Sequence, residues 1–127
     1  MSRVVLDASA VLAVLGDEPG ARLVVPHLGN SAMSTVNLAE VQAKLVHRGV
    51  PPNEATLAIA HVVKDFLDFN YEQAVFAGSL ISSTKALGLS LGDRACLALA
   101  HQLKAPVYTA DQAWKQLQLG MAIHVVR

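Results

Sequence analysis

Four carboxylic acids occupy similar positions in this 127-residue sequence, each close to the start of a helical pattern. Asp7 and Asp111 each close a short apolar run typical of a buried strand, "RVVLD" and "PVYTAD". Glu40 lies early in "VNLAEVQAKLVHRG", and Asp93 lies at the start of the apolar run in "LSLGDRACLALA". Ligands bind outside the carboxyl ends of the strands of an open parallel sheet. If the helices of Glu40 and Asp93 also begin at that edge, all four carboxylates converge there.

Such a cluster has a defined chemistry. Two carboxylates about 4 Å apart repel each other by about 4 kcal/mol at an effective dielectric constant of about 20. Four of them therefore stay ionised only beside a compensating charge. Oxygen ligands favour Mg²⁺ or Mn²⁺ over zinc. An ion of this kind suits phosphoryl chemistry, because it lowers the pKa of a water and neutralises charge on a phosphate oxygen.

Each acid also has a purely structural explanation. Asp7 and Asp111 could be N-caps that accept hydrogen bonds from free backbone N–H groups. Ser90 and Asp93 fit a capping-box pattern, and Glu40 could be an ordinary solvated helix residue. The local sequence leaves the structural and the metal-binding interpretations open for each residue.

Three polar residues beside the acids have alternative roles. Ser9 and Thr109 could orient a carboxylate or a water at the metal, or be an ordinary turn hydroxyl and an ordinary strand threonine. Arg94 could pair with Asp93 or Glu40, contact a substrate phosphate, or lie exposed on the rim of the site. The sequence does not choose among these roles.

The elements that must position these residues alternate between strand and helix. This alternation predicts an α/β fold with a mainly parallel sheet, and we expect a single domain over residues 1–127. Pro19 is expected in the first turn of the second helix, where proline is tolerated. The expected strands are 3–7, 31–35, 66–70, 106–111 and 122–127. The expected helices are 8–16, 18–29, 36–49, 51–66, 71–88, 90–105 and 112–120.

Composition bounds the function. The residues are 53% hydrophobic and 16% charged with a mean hydropathy of +0.39, so either the sheet is buried on both faces or apolar surface is reserved for a partner. The formal net charge of zero does not indicate a strongly basic nucleic-acid binder, so nucleic-acid contact would need a local patch or metal ions. The single cysteine, Cys96, excludes an internal disulfide and is expected in the core. With no signal-peptide pattern and no membrane-span pattern, a cytoplasmic protein is expected.

Four motifs in order resemble the PIN-domain ribonucleases, and within them the VapC-type toxins of bacterial toxin–antitoxin pairs. They are "VVLDASAVLAVL", "LAEV", "LSLGDRACLALA" and "VYTADQAWKQL", and the resemblance runs from Val4 to Leu117. It implies a three-layer α/β/α sandwich and a Mg²⁺- or Mn²⁺-dependent endoribonuclease in which an activated water attacks the RNA phosphodiester. The implied catalytic and metal-binding residues are Asp7, Glu40 (directly or through water), Asp93 and Asp111, with Ser9 and Thr109 as supporting hydroxyls.

The resemblance also implies partners. These are an RNA substrate, a cognate antitoxin protein and a second copy of the chain in a homodimer, with no membrane. The main alternative is a catalytically silent PIN-like module that only binds partners. A response-regulator-like receiver domain is disfavoured, because Asp7 stands alone after its strand and "TADQ" offers no lysine.

Overall fold

The computed structural model describes residues 2–127, and a five-stranded sheet lies at its centre. The strands are Val4–Leu6 (β1), Ser31–Ser34 (β2), Asp65–Leu67 (β3), Val107–Thr109 (β4) and Ile123–Val125 (β5). Their order is β3-β2-β1-β4-β5, and every neighbouring pair is parallel. The expected α/β fold with a parallel sheet is confirmed, and the carboxyl ends of all five strands lie along one edge.

Seven α-helices flank the sheet in the described residues. They are Ala8–Leu15 (α1), Ala21–Val24 (α2), Thr35–His47 (α3), Pro52–Val62 (α4), Tyr71–Ser79 (α5), Ile81–Thr84 (α6) and Leu91–Leu103 (α7). Short 3₁₀ turns come after α2, α6 and β4, at Val25–Asn30, Lys85–Leu87 and Gln112–Gln116. Among residues 2–127, no helix is both long enough and apolar enough to cross a membrane.

Both faces of the sheet are buried, which explains much of the high mean hydropathy. Successive side chains of a strand point to opposite faces. Val4 and Leu6 therefore pack into a core with α1, α3 and α4, whereas Val5 packs into a second core with α7. Leu97 and Leu99 of α7 are fully buried in that second core. These contacts fix α7 firmly against the sheet, so that the first turn of the helix is held at a defined position.

Two predicted helices are longer than the structure shows. The helix expected over 71–88 breaks at Leu80, where Ser79 bonds back to the Val75 carbonyl at 2.8 Å and the "ISST" segment begins a separate turn. Hydroxyl side chains compete with helical backbone bonds in this way. The helix expected over 51–66 ends at Val62, because Asp65–Leu67 pairs with β2 instead. The third strand accordingly begins one residue earlier than expected.

The segments 18–29 and 112–120 also differ from expectation. Pro19 lies outside the helix, which begins at Ala21 after Gly20 in a left-handed conformation with φ of 96°. A Cβ on Gly20 would lie 2.8 Å from the Val126 side chain, so this turn is packed closely on the end of the chain. The last expected helix is only the 3₁₀ turn Gln112–Gln116.

Candidate active site

The first acid of the site is fixed at the junction of β1 and α1. Asp7 follows the last residue of β1 and is the N-cap of α1, where its Oδ1 accepts a 2.9 Å hydrogen bond from the Ala10 backbone N–H. Its side chain is only 3% exposed. The capping interpretation is therefore confirmed, and the carboxylate lies at the carboxyl edge of the sheet.

Two hydroxyls connect this acid to the end of β4. Thr109 Oγ1 donates to Asp7 Oδ2 at 2.6 Å, and Ser9 Oγ donates to the same carboxylate at 2.8 and 3.0 Å. The hydroxyls are 3.2 Å apart, and Ser9 Oγ accepts a 2.8 Å bond from the Ala110 N–H. Both residues thus orient the Asp7 carboxylate, which is one of the roles that the sequence left open for them.

The last acid is attached to the same network through the backbone. The Asp111 N–H donates to Thr109 Oγ1 at 3.0 Å, and Asp111 Oδ1 accepts a 3.0 Å bond from the Ala113 N–H. Asp111 is therefore the N-cap of the 3₁₀ turn that follows β4. The Thr109 hydroxyl links the first and last acids of the sequence, since it contacts the side chain of one and the backbone of the other.

Asp93 lies in a complete capping box at the start of α7. Its Oδ2 accepts a 2.9 Å bond from the Ser90 N–H, and its own N–H donates to Ser90 Oγ at 3.2 Å. The bond from the Ser90 N–H uses one oxygen of the Asp93 carboxylate, and the bond from the Ala113 N–H uses one oxygen of Asp111. A second oxygen on each side chain is left for another ligand.

Glu40 lies over the first turn of α7. Asn37 Nδ2 donates to Glu40 Oε1 at 2.8 Å and also to the Gly92 carbonyl at 3.0 Å. A Cβ on Gly92 would lie 2.5 Å from Glu40 Oε2 and 2.6 Å from its Cδ. The Glu40 carboxylate therefore rests against the Gly92 backbone, beside Asp93 in the sequence.

Burial dominates the electrostatics of the buried acid. The pKa of Asp7 is raised from 3.8 to about 6, because burial penalises its charged form. The hydrogen bonds from Thr109, Ala10 and Ser9 act in the opposite direction, and the negative charge of Asp93 raises the pKa further. Without a cation, Asp7 therefore carries a proton for part of the time at neutral pH or below.

The buried thiol of Cys96 lies within the electric field of three of the acids. Burial raises the pKa of this thiol well above its usual value, and the charges of Asp7, Asp93 and Glu40 raise it further. Cys96 is fully buried in α7, as expected for a core residue.

Nothing in the described part of the chain neutralises this charge. The ion pairs within 4.0 Å among residues 2–127 are Arg3–Asp65 and Arg127–Glu18, and neither includes an acid of the site. Because like charges repel, a cation at this edge would stabilise the ionised carboxylates.

The donor set fits a hard divalent cation in its chemistry. All the donors are oxygens, which Mg²⁺ and Mn²⁺ prefer. As the side chains stand, no three His, Cys, Asp or Glu residues within 2–127 form a ready-made cage. Asp93 and Asp111 each bond to a backbone N–H of their own turn through one oxygen. The residues that could hold the ion are Asp7, Glu40, Asp93 and Asp111.

Arg94 is turned away from the carboxylates. Its Nη1 donates to the Ala77 carbonyl in the last turn of α5 at 2.9 Å, and it forms no ion pair with Asp93 or Glu40 among the described residues. Of the roles that the sequence left open for Arg94, pairing with Asp93 or Glu40 is not the one that the structure shows. The guanidinium instead joins α7 to α5, where a cation interacts favourably with the C-terminal end of a helix.

Asn37 contacts the site but was not predicted from the sequence. This side chain is 1% exposed and contacts both Glu40 and α7. The signal was its position three residues before Glu40 in "VNLAE", because residues i and i+3 share a helix face. That spacing is common, so it indicates a contact only when the acid is already under consideration.

Comparison with known proteins gives one family and a set of similar folds. The PIN domain profile matches residues 4–119, whereas no curated protein matches the chain in sequence. DNA-bound VapBC from Salmonella typhimurium is similar over 100% of both chains, with a TM-score of 0.76 and 15% identity. VapBC2 of Rickettsia felis, bound to a promoter DNA fragment, is similar over 98% of both chains, with a TM-score of 0.73 and 16% identity.

A third similar structure is VapC20 of Mycobacterium tuberculosis, a sarcin-ricin loop cleaving toxin. The TM-score is 0.73 at 17% identity, and the match covers 88% of this chain and 92% of that one. At these identities the structural matches establish the fold. The profile match spans almost the whole chain, from the start of β1 to beyond the 3₁₀ turn that follows β4. This protein belongs to the PIN domain family.

Proposed function

We propose that this protein is a Mg²⁺- or Mn²⁺-dependent endoribonuclease that hydrolyses RNA phosphodiester bonds and is the toxin of a toxin–antitoxin pair. The observation that carries the proposal is the set of four acids without a neutralising cation at the carboxyl edge of a parallel sheet. Parallel sheets bind ligands at this edge. Membership of the PIN domain family and the likeness to VapBC structures support the same function.

Asp7, Asp93 and Asp111 are the main ligands in this proposal, and Glu40 binds directly or through a water. When bound, the ion supplies charge neutralisation on the phosphate and lowers the pKa of the attacking water. The chain's own part is to hold the carboxylates ready. Three donors fix the orientation of Asp7, and the capping bonds position Asp93 and Asp111 without using all of their oxygens.

Thr109 and Ser9 serve as the rigid support of the site. Both hydroxyls point at the Asp7 carboxylate, so its oxygens have little freedom to rotate. Hydrogen-bonded support of this kind orients metal ligands and raises their affinity. The hydrogen bond from the Asp111 N–H to Thr109 Oγ1 also keeps Asp111 close to Asp7.

A nucleic-acid phosphodiester is the proposed substrate because the ion, rather than side-chain cations, would neutralise the phosphate. The formal net charge of zero and the absence of an acid-paired cation at the site among residues 2–127 agree with this interpretation. The choice of RNA comes from the resemblance to the PIN-domain ribonucleases. VapC20, which has a similar fold, is a toxin that cleaves the sarcin-ricin loop. The RNA sequence that this protein would cleave depends on surface residues around the site rather than on the four carboxylates.

The proposed partners are a cognate antitoxin and a second copy of the chain. Two structures of similar fold contain VapBC complexes. The surface also carries large apolar side chains with at least 46% exposure that the two cores do not use. They include Leu23, Val25, Leu57, Tyr71, Val75, Ile81 and Leu91. Co-expression with a candidate antitoxin, followed by size-exclusion chromatography, tests both contacts.

The test of the activity is cleavage of a structured RNA by the purified protein. We expect cleavage with Mg²⁺ or Mn²⁺, loss of cleavage with EDTA and recovery when the ion is restored. The products should lack a 2′,3′-cyclic phosphate, because water rather than the neighbouring 2′-hydroxyl attacks. Asp7→Asn should abolish cleavage. Tight partner binding with no cleavage under any metal condition would instead favour the catalytically silent module.

A further inference from the structure

A buried amide lies between the helix of Glu40 and the helix of Asp93. Asn37 is on α3 and is 1% exposed, and its Nδ2 donates both to Glu40 Oε1 at 2.8 Å and to the Gly92 carbonyl at 3.0 Å. One amide group therefore holds a carboxylate of α3 against the first turn of α7. The two elements are 55 residues apart in sequence at this contact.

The orientation of this amide is determined by its neighbours. Both groups that face Nδ2 are acceptors, a carboxylate and a carbonyl, so a flipped amide would place oxygen against oxygen. The chosen orientation leaves Asn37 Oδ1 buried without a hydrogen-bond partner among the described residues. An unpaired buried oxygen lowers the stability of the folded state. The Asn37 amide therefore donates to Glu40 even though its own oxygen stays unpaired.

Gly92 leaves the space that the Glu40 carboxylate occupies. A Cβ at this position would lie 2.5 Å from Glu40 Oε2 and 2.6 Å from Cδ, which is closer than non-bonded atoms approach. Its φ is not in the left-handed region, so glycine is needed here for space rather than for backbone conformation. Both oxygens of the Glu40 carboxylate therefore lie where a side chain on Gly92 would be, and Oε1 also accepts the Asn37 amide.

We infer that Asn37 is a positioning residue that, together with the missing side chain of Gly92, holds the Glu40 carboxylate in place for the divalent cation. This inference deepens the proposed function and depends on it. Asn37 acts through Glu40 and contacts neither RNA nor the reacting atoms. Partners of a metal ligand typically contribute about 10–100-fold in metal affinity.

The test is a double-mutant cycle on Mn²⁺ affinity, measured by calorimetry or by electron paramagnetic resonance. We expect Asn37→Leu to weaken Mn²⁺ binding by about tenfold. In the Glu40→Ala background the same substitution should cause no further loss, because its target is gone. Equal losses in both backgrounds, or parent-like binding by Asn37→Leu, would overturn the inference.

Gly92→Ala gives an independent arm should Asn37→Leu fail to fold. We expect it to weaken Mn²⁺ binding and lower the midpoint of urea unfolding in the parent, because the new methyl group displaces the carboxylate. In the Glu40→Ala background it should be neutral or stabilising, as alanine is favoured over glycine within a helix. Gly78→Ala in α5 is the matched control, since a Cβ there meets nothing within 4 Å. A loss that persists in the Glu40→Ala background would contradict the inference.

The outcomes separate this inference from the proposed function. If the parent protein binds no Mn²⁺ and does not cleave RNA, both the proposed function and this inference are wrong. If the parent binds Mn²⁺ and cleaves RNA, but the effects of the two substitutions on Mn²⁺ affinity are additive, only the positioning role of Asn37 is wrong.

Discussion

Thr109 Oγ1 donates a 2.6 Å hydrogen bond to Oδ2 of Asp7, across 102 residues of sequence. The contact joins the ends of two neighbouring parallel strands, β1 and β4, at the edge where the acids lie. Thr109 is fully buried, and its hydroxyl also accepts the Asp111 N–H at 3.0 Å. A single hydroxyl therefore sets the geometry of two of the four proposed ligands.

Thr109→Val removes this hydroxyl while keeping the shape of the side chain. We expect a loss of about 1–3 kcal/mol in the free energy of unfolding, because the buried Asp7 carboxylate loses a donor and the partly buried Asp111 N–H loses its acceptor. We also expect weaker Mn²⁺ binding. Thr84→Val is the control, since the buried Thr84 hydroxyl bonds to the Leu80 carbonyl away from the acids. Urea unfolding should show a loss for both variants, but calorimetry should show weaker Mn²⁺ binding for Thr109→Val alone.

The raised pKa of Asp7 predicts how stability depends on pH in the absence of divalent ions. Its pKa is about 6 in the folded protein against 3.8 for the free group, so the folded state binds this proton more tightly. The contribution of Asp7 to stability is therefore greatest below about pH 4 and is lost as the pH rises through 6. The loss amounts to about 3 kcal/mol.

Asp7→Asn removes this titration, so its stability relative to the metal-free parent should rise with pH. Urea unfolding of both proteins in EDTA, from pH 4 to pH 8, measures the difference. It should shift in favour of Asp7→Asn by about 3 kcal/mol over that range. A constant difference across the range would mean that burial does not raise the pKa of Asp7.

Asp93→Asn distinguishes metal binding from helix capping. The amide oxygen of asparagine can still accept the Ser90 N–H, so the capping box is kept while the charge is lost. Mn²⁺ should raise the melting temperature of the parent, because it binds the folded state, but not that of Asp93→Asn. Equal shifts in the two proteins would indicate that Asp93 only caps α7.

Arg94→Met tests whether Arg94 supports the fold or contacts the substrate phosphate. Since Nη1 bonds to the Ala77 carbonyl, we expect a loss of about 1.5–3 kcal/mol in unfolding free energy. The rate of RNA cleavage by the folded protein should stay within about twofold of the parent. A large fall in rate with unchanged stability would support the phosphate contact that the sequence left open.

Much of this architecture could be predicted from the sequence because the signals are local. The apolar runs that end in Asp7 and Asp111 identify two strands, and parallel strands place their carboxyl ends together. Ser90 three residues before Asp93 predicts the capping box that the structure contains. The resemblance to the PIN-domain ribonucleases adds the order of the four acids.

The remaining features depend on contacts between distant parts of the chain. Asp65–Leu67 becomes a strand because β2 offers it a pairing edge, which overrides the helical pattern of the preceding residues. Asn37 reaches Gly92 only after α3 and α7 have packed together. The direction of the Arg94 side chain depends on the position of α5, which no local pattern specifies.

The most direct test of the central claim is the rate of RNA cleavage by the parent and by Asp93→Asn, measured with Mn²⁺ and with EDTA. The amide of the variant can still accept the capping bond, so a difference in rate at equal folded fraction reports the role of the charged carboxylate. We expect Mn²⁺-dependent cleavage by the parent and a loss of more than about 100-fold in the variant, beyond what the loss of an outer partner costs. Equal rates in the two proteins, or cleavage by the parent that persists in EDTA, would contradict a metal-dependent nuclease built on these four acids.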